Sequence, residues 1–171
     1  MITAVELPLE FQQQLRDEAL RALPRECCGL LEGIIEPLTL SLSKGARVIA
    51  LHPTANLSNA SDRFEIDPAS HIALLRKLRG TGRTIVGCYH SHPNGRAEPS
   101  KRDCESAVEQ GFLWLICAIQ PGARTTSIAA FLSTGECFSP LPIVNHDGAA
   151  GVSLASPNAN RAVEATAGLG S

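Results

Sequence analysis

His90-Ser91-His92-Pro93, followed by Ser100 and Asp103, is the part of this sequence whose residue types and spacing can do chemistry. Two histidines one residue apart on a strand project from the same face, because side chains alternate with period two. Both imidazoles then reach a single metal ion, and Asp103 adds a harder ligand from the start of the next element. Two imidazoles, one carboxylate and no evident fourth protein ligand describe a zinc site that leaves a position for water. That arrangement belongs to catalytic rather than structural zinc. Zinc brings the pKa of its water down to about 7, which supplies a nucleophile near neutral pH. Hydrolysis further needs a base for that water and a donor for the developing oxyanion. Ser100 suits the donor's role. For the base, Glu26 is the candidate, at the mouth of a strand just after a helix-stopping proline, but the residues alone do not single it out from Glu32, Glu65 or Glu98.

The elements that must position these side chains follow from pattern. A short edge strand is expected at 2–5. Phe11, Leu15, Ala19 and Ala22 recur at helical spacing over 8–22, with Pro8 suited to a first turn and Pro24 marking the stop. Strands are expected at 28–33 and 47–52, joined by a segment over 37–45 without strong pattern. A polar loop at 53–63 and an extended piece at 64–66 lead to a second helix. There Asp67 is the N-cap, Pro68 the first helical residue, Ile72, Leu75 and Leu78 the apolar face, and Gly80 the stop. Residues 84–92 form the strand that ends in the histidine pair. A third helix is expected over 100–110, closed by Gly111, and further strands at 112–119, 127–132 and 136–141. Mixed helices and strands in this order predict an α/β fold, a single mixed β-sheet with flanking helices. The domain is expected over 1–144. Residues 145–171, rich in Ala, Gly, Ser and Asn, read as a low-complexity, disordered tail.

Bulk properties narrow the function. A chain of 171 residues with a net charge of -2 gives no electrostatic reason to expect nucleic acid or an anionic membrane as partner. No apolar run approaches the ~20 residues of a bilayer span, and the N-terminus lacks a secretory pattern, so the expected location is cytoplasmic. Oligomeric state is not legible. The six cysteines form no C-x-x-C pair and are expected to be reduced, mostly buried thiols.

Glu26 with Cys28-Gly29-Leu30-Leu31, then His90-Ser91-His92-Pro93, six residues, and Ser100-x-x-Asp103, resembles the JAMM (MPN-plus) metalloprotease family. The resemblance covers about residues 2–141 and implies a cytidine-deaminase-like α/β core. It also implies roles: one zinc per chain on His90, His92 and Asp103, Glu26 as general acid/base, and Ser100 stabilising the tetrahedral intermediate. Phe64-Glu65-Ile66-Asp67 after a loop containing Asn56 is similar to the small bacterial branch, the Mec-type peptidases of sulfur-carrier proteins. That likeness implies hydrolysis after the C-terminal Gly-Gly of a ubiquitin-like sulfur carrier, releasing cysteine or trimming a precursor. Glycines fit such chemistry because residues without side chains pass a narrow slot, and the tail is expected to lie extended along a strand edge.

Plainer readings stand beside these. Ser100 and Asp103 also make an N-cap and N3 pair, which is compatible with chemistry because a cap orients the ligand. Glu26 alone would read as a solvated helix-end carboxylate. Cys88 shares the face of the histidines and is read as packing rather than as a ligand or nucleophile. His52, His71 and His146 have no metal-like spacing, Lys101 and Arg102 read as a solvated helix face, and Trp114 as core. A non-catalytic binding module of the same fold and a deubiquitinase-like isopeptidase are the alternatives. A zinc deaminase of related fold lacks its P-C-x-x-C pair.

Overall fold

Eight strands of one mixed sheet and three helices make up the described part of the computed structural model, residues 1–37 and 44–145. In chain order they are β1 (Ile2–Glu6), α1 (Leu9–Ala22), β2 (Cys28–Pro37), β3 (Lys44–Thr54), α2 (Pro68–Leu78), β4 (Thr84–His92), α3 (Lys101–Ser106), β5 (Leu113–Ile119), β6 (Thr126–Ser133), β7 (Phe138–Leu141) and β8 (Ile143–Val144). The strands lie in the order β7-β6-β5-β4-β2-β3-β1-β8. The predicted tail beyond Asn145 and most of the 37–45 segment lie outside the described residues. None of the described helices is long and apolar enough to cross a membrane.

The near-continuous apolar runs of β4 and β5 are central because helices cover both faces of the sheet. Every residue of β5 is buried. On one face Leu31, Tyr89, Leu113, Leu115 and Cys117 pack against Leu15 and Ala19 of α1. Tyr89 is fully buried, and its hydroxyl donates to Glu18 Oε2 at 2.8 Å, which ties α1 to β4. On the other face Leu30 and Ile85 meet Leu74 and Leu78 of α2, while Cys88 and Trp114 meet Ala107 just past α3. Cys88 and Trp114 are therefore core residues, as the sequence predicts. Glycines at two positions let strands approach. A Cβ on Gly29 would run into the Tyr89 ring, and one on Gly87 into the Leu113 main chain.

The two ends of the sheet meet. After β7 has paired with β6, the chain passes Pro142 and continues as β8, which pairs parallel with β1. Val5 N donates to Pro142 O at 3.0 Å and Leu7 N to Val144 O at 3.1 Å. Sequence pattern did not disclose β8, whose two residues are too few to show a period.

Three expectations need correction. The third helix spans Lys101–Ser106 rather than 100–110. The Ala107 carbonyl accepts from the Ser133 hydroxyl at 2.7 Å, and the chain then turns through Gly111 at φ 84°. The inward face of α2 is Leu74 and Leu78, whereas Ile72 and Leu75 are half exposed. Several apolar residues in a row allow either stripe, and the strand beneath decides. Finally, the cysteines are not all reduced. Cys104 and Cys137 form a disulfide across 33 residues, because α3 lies against the turn before β7 and brings their Cα atoms to 4.5 Å. Cys27, Cys28, Cys88 and Cys117 are free and buried, as expected.

Candidate metal centre

The site is assembled at the end of β4 and the start of β2. These strands pair antiparallel with Cys28 opposite His90 and Gly29 opposite Tyr89. Beyond Cys28 the pairing is carried by Ser91 N to Cys27 O at 3.1 Å and Cys27 N to Ser91 Oγ at 2.8 Å. One more step in that register sets Glu26 against His92. Directly opposed residues share a face, so the carboxylate of Glu26 and both imidazoles stand on the same side of the sheet. Pro93-Asn94-Gly95 then turns the chain, with Gly95 at φ 79°, and Ser100 opens α3.

Ser100 and Asp103 form the reciprocal cap anticipated from their spacing. Asp103 N donates to Ser100 Oγ at 3.2 Å and Ser100 N to Asp103 Oδ2 at 2.6 Å. The cap aims the aspartate at the histidines. His90 Nε2 lies 3.3 Å from Asp103 Oδ1, His92 Nε2 3.4 Å from Oδ2, and the two Nε2 atoms are 2.9 Å apart. All three residues are buried, and their ligand atoms lie within 4.8 Å of one another. A tetrahedral zinc with bonds near 2.0–2.1 Å has edges of about 3.3 Å, so the donor set fits such an ion. His92 Nδ1 donates to the Arg96 carbonyl at 2.8 Å, which fixes the tautomer and leaves Nε2 with its lone pair toward the centre. Phe64 stacks on His90 with ring centroids 4.3 Å apart and holds that imidazole's plane.

Burial disfavours a charged His92, but Asp103 and the Arg96 carbonyl outweigh it and raise His92 above its usual range. Burial pushes His90 below its usual range and keeps it a neutral ligand. Burial works against ionised Asp103, yet the His90 and His92 imidazoles and Ser100 beside it prevail and hold its carboxyl well below the ordinary carboxylate range. Glu26, only 6% exposed, goes the other way, to about 7. Burial is the main cause; His92 opposes it, and the charges of Asp103 and Asp62 add to it. A carboxyl poised there can both accept and return a proton near neutral pH.

All five residues expected from sequence therefore meet at one end of the sheet. Two features beside them were not anticipated. Arg102 pairs with Asp62 at 2.9 Å, 40 residues away, across the mouth of the site. Nothing local in the sequence signals a pair so far apart. A cavity of about 670 Å³ also opens beside Asp103, walled by Phe64, Ile66, Cys88, Phe112 and Trp114, and His71 of α2 lines it. His52 belongs elsewhere. Its Nε2 lies 2.8 Å from Glu32 Oε2, and Arg83 holds the other oxygen of the same carboxylate at 2.9 Å.

Comparison with known proteins places this geometry in a lineage. Residues 8–131 match the family model described as prokaryotic homologs of the JAB domain. The chain is 35% identical over 122 residues to a desampylase of Haloferax volcanii, covering 70% of this chain and 78% of that protein. It is 32% identical over 104 residues to a probable TtuB-protein conjugate cleaving protease of Thermus thermophilus, covering 59% and 62% respectively. A solution structure of a Desulfitobacterium hafniense protein matches with a TM-score of 0.70 at 25% identity, over 82% of this chain and 92% of that one. The family match runs from the start of α1 into β6 and takes in Glu26, His90, His92, Ser100 and Asp103. The chain belongs to the prokaryotic JAB-domain family, and its relatives are consistent with a small bacterial and archaeal branch where the motif resemblance implied a small bacterial one.

Proposed function

We propose that this protein is a zinc-dependent peptidase that hydrolyses the amide bond after the C-terminal Gly-Gly of a ubiquitin-like sulfur-carrier protein. The observation that carries the reading is the buried His90–His92–Asp103 group with the buried Glu26 set on the same face of the sheet. The names of the relatives, desampylase and conjugate cleaving protease, support a ubiquitin-like substrate. A zinc ion on His90, His92 and Asp103 would supply Lewis acidity and a water of lowered pKa.

The chain's own residues do the rest. Glu26 takes a proton from the attacking water on a carboxylate oxygen and hands it to the leaving amine. The Ser100 hydroxyl, which accepts the Asp103 N–H, would donate its own hydrogen to the scissile carbonyl oxygen as negative charge develops. Asp103 keeps its charge because His90, His92 and Ser100 lie against its carboxylate.

The test is mass spectrometry of a carrier protein bearing a short extension after Gly-Gly, before and after incubation with zinc-loaded and metal-stripped protein. Cleavage after the second glycine by the loaded form alone is expected. An isopeptide-linked carrier run in parallel distinguishes a deubiquitinase-like activity. Binding of the carrier with no change in mass would overturn the peptidase in favour of a non-catalytic module.

A further inference from the structure

The peptide group between Glu26 and Cys27 is held from two sides by side chains that no part of the mechanism above uses. Its carbonyl, on Glu26, accepts from Asn56 Nδ2 at 3.0 Å. Its N–H, on Cys27, donates to Ser91 Oγ at 2.8 Å. We propose that Asn56 and Ser91 are positioning residues that clamp this peptide plane and so aim the Glu26 carboxylate at the metal centre; this rests on the role given to Glu26 above.

Position in the sheet makes the clamp necessary. The ladder between β2 and β4 begins only at Cys28, so Glu26 sits just outside regular pairing. On its other side the chain has come off α1 through Pro24, with Arg25 N turned back onto Ala22 O at 3.0 Å. A residue at such a frayed end would ordinarily sample several main-chain orientations. The direction of its Cβ, and thus of a long carboxylate arm, follows the plane of the adjoining peptide.

Ser91 reaches this plane because of strand alternation. His90 and His92 face the metal centre, so Ser91 between them faces the opposite side, where it is fully buried. Its hydroxyl is denied to the metal and instead crosses to the neighbouring strand. The residue between the two ligands thereby couples them to the base.

Asn56 works from the loop side. Every hydrogen-bonding position of its amide is used, and every partner is main chain. Nδ2 donates to the carbonyls of Glu26 and Arg63, at 3.0 and 3.1 Å. Oδ1 accepts from Ser58 N at 2.9 Å and Glu65 N at 3.0 Å. The Arg25 guanidinium adds donors to the carbonyls of Asn56 and Ser58. One amide thus closes the 56–65 loop, which carries Asp62 and Phe64 to the site, and fastens it to the base's own carbonyl.

The alternative is that both residues merely satisfy buried main-chain groups. Full-length, zinc-loaded Ser91→Ala and Asn56→Asp proteins separate the two. Asn56→Asp loses the donors to Glu26 and Arg63 but keeps acceptors for Ser58 and Glu65, and Leu57 N to Glu65 O at 2.9 Å still closes the loop while the Glu26 carbonyl is released. We expect zinc content to be unchanged and KM to stay within about twofold, with kcat down about tenfold to a hundredfold, as for a misplaced reacting group. Ser91→Thr, which retains the hydroxyl, should restore kcat. In a Glu26→Gln background either substitution should change the residual rate by less than about twofold, since both act through the carboxylate. Amide hydrogen exchange at Cys27, read independently of turnover, should be about tenfold faster or more in Ser91→Ala and Asn56→Asp. Undiminished kcat, undiminished protection at Cys27, or losses that simply add in the Glu26→Gln background would overturn the clamp. Absence of turnover in the unaltered protein would count against the peptidase reading, while the Cys27 exchange would still decide whether the peptide is held.

Discussion

Replacing Glu26 by Gln should separate the proposed base from the proposed metal site at one end of the sheet. The amide keeps the shape but cannot take a proton, so zinc should stay bound while turnover falls by about 10²–10⁴. His92→Ala should lose both, with metal affinity falling by more than the roughly 10–100-fold that an outer-shell change costs. Atomic emission of the dialysed proteins, alongside carrier cleavage, checks the pair; zinc retained by His92→Ala would contradict the ligand assignment. At this scale the sequence was readable wherever the geometry is local. Period-two alternation sufficed for His90 and His92, and i, i+3 spacing for the cap of Ser100 and Asp103. Glu26 was not local. Its place opposite His92 depends on register between strands whose contacting residues, Cys27 and Ser91, are 64 positions apart. Motif resemblance supplied what periodicity could not.

The element that most needs support is α3, only six residues long and bearing Asp103. A helix so short has little stability of its own. It is held by its cap, by Ala107 against Trp114, and by the disulfide from Cys104, the residue after Asp103. Cys104→Ser should destabilise the protein by about 2–4 kcal/mol, as expected for a cross-link closing a loop of this size. Thermal melts with and without a dithiol reductant test this: reductant should lower the Tm of the unaltered protein and leave that of Cys104→Ser where it is. Equal melting of both proteins without reductant would show that the cross-link contributes nothing. Sequence pattern overran this helix because residues 107–110 carry no breaker before Gly111. What stops it is a carbonyl claimed by Ser133, a partner 26 residues onward. The face of α2 was misjudged for a related reason, since a run of apolar residues cannot reveal which stripe the sheet will cover.

For the molecule as a whole, the buried carboxylate of Glu32 links folding to pH. Burial alone would raise it, but Arg83 and His52 more than offset that and leave it below its ordinary value. Its unfolded form therefore binds protons more readily, and stability rises with pH through that range. The contribution is complete above the ordinary carboxyl value and is lost as pH falls below about 4 toward the folded value. Chemical denaturation between pH 3 and 6, at roughly half-unit steps, should show this slope diminished in Glu32→Gln; an identical slope would refute the linkage. The single sheet with flanking helices was legible from the mixed order of helices and strands, with strands expected at 84–92 and 112–119 where β4 and β5 lie. The closing joint was not, because nothing in a two-residue strand marks it.

That joint has a further consequence. Because the piece after Phe138 is shared between β6 and β1, the first and last described segments shelter each other's main chain. Peeling either one away would uncover rows of unsatisfied amides on both flanks at once. The seam thus covers main-chain groups at both edges of the sheet and guards them against edge-to-edge association.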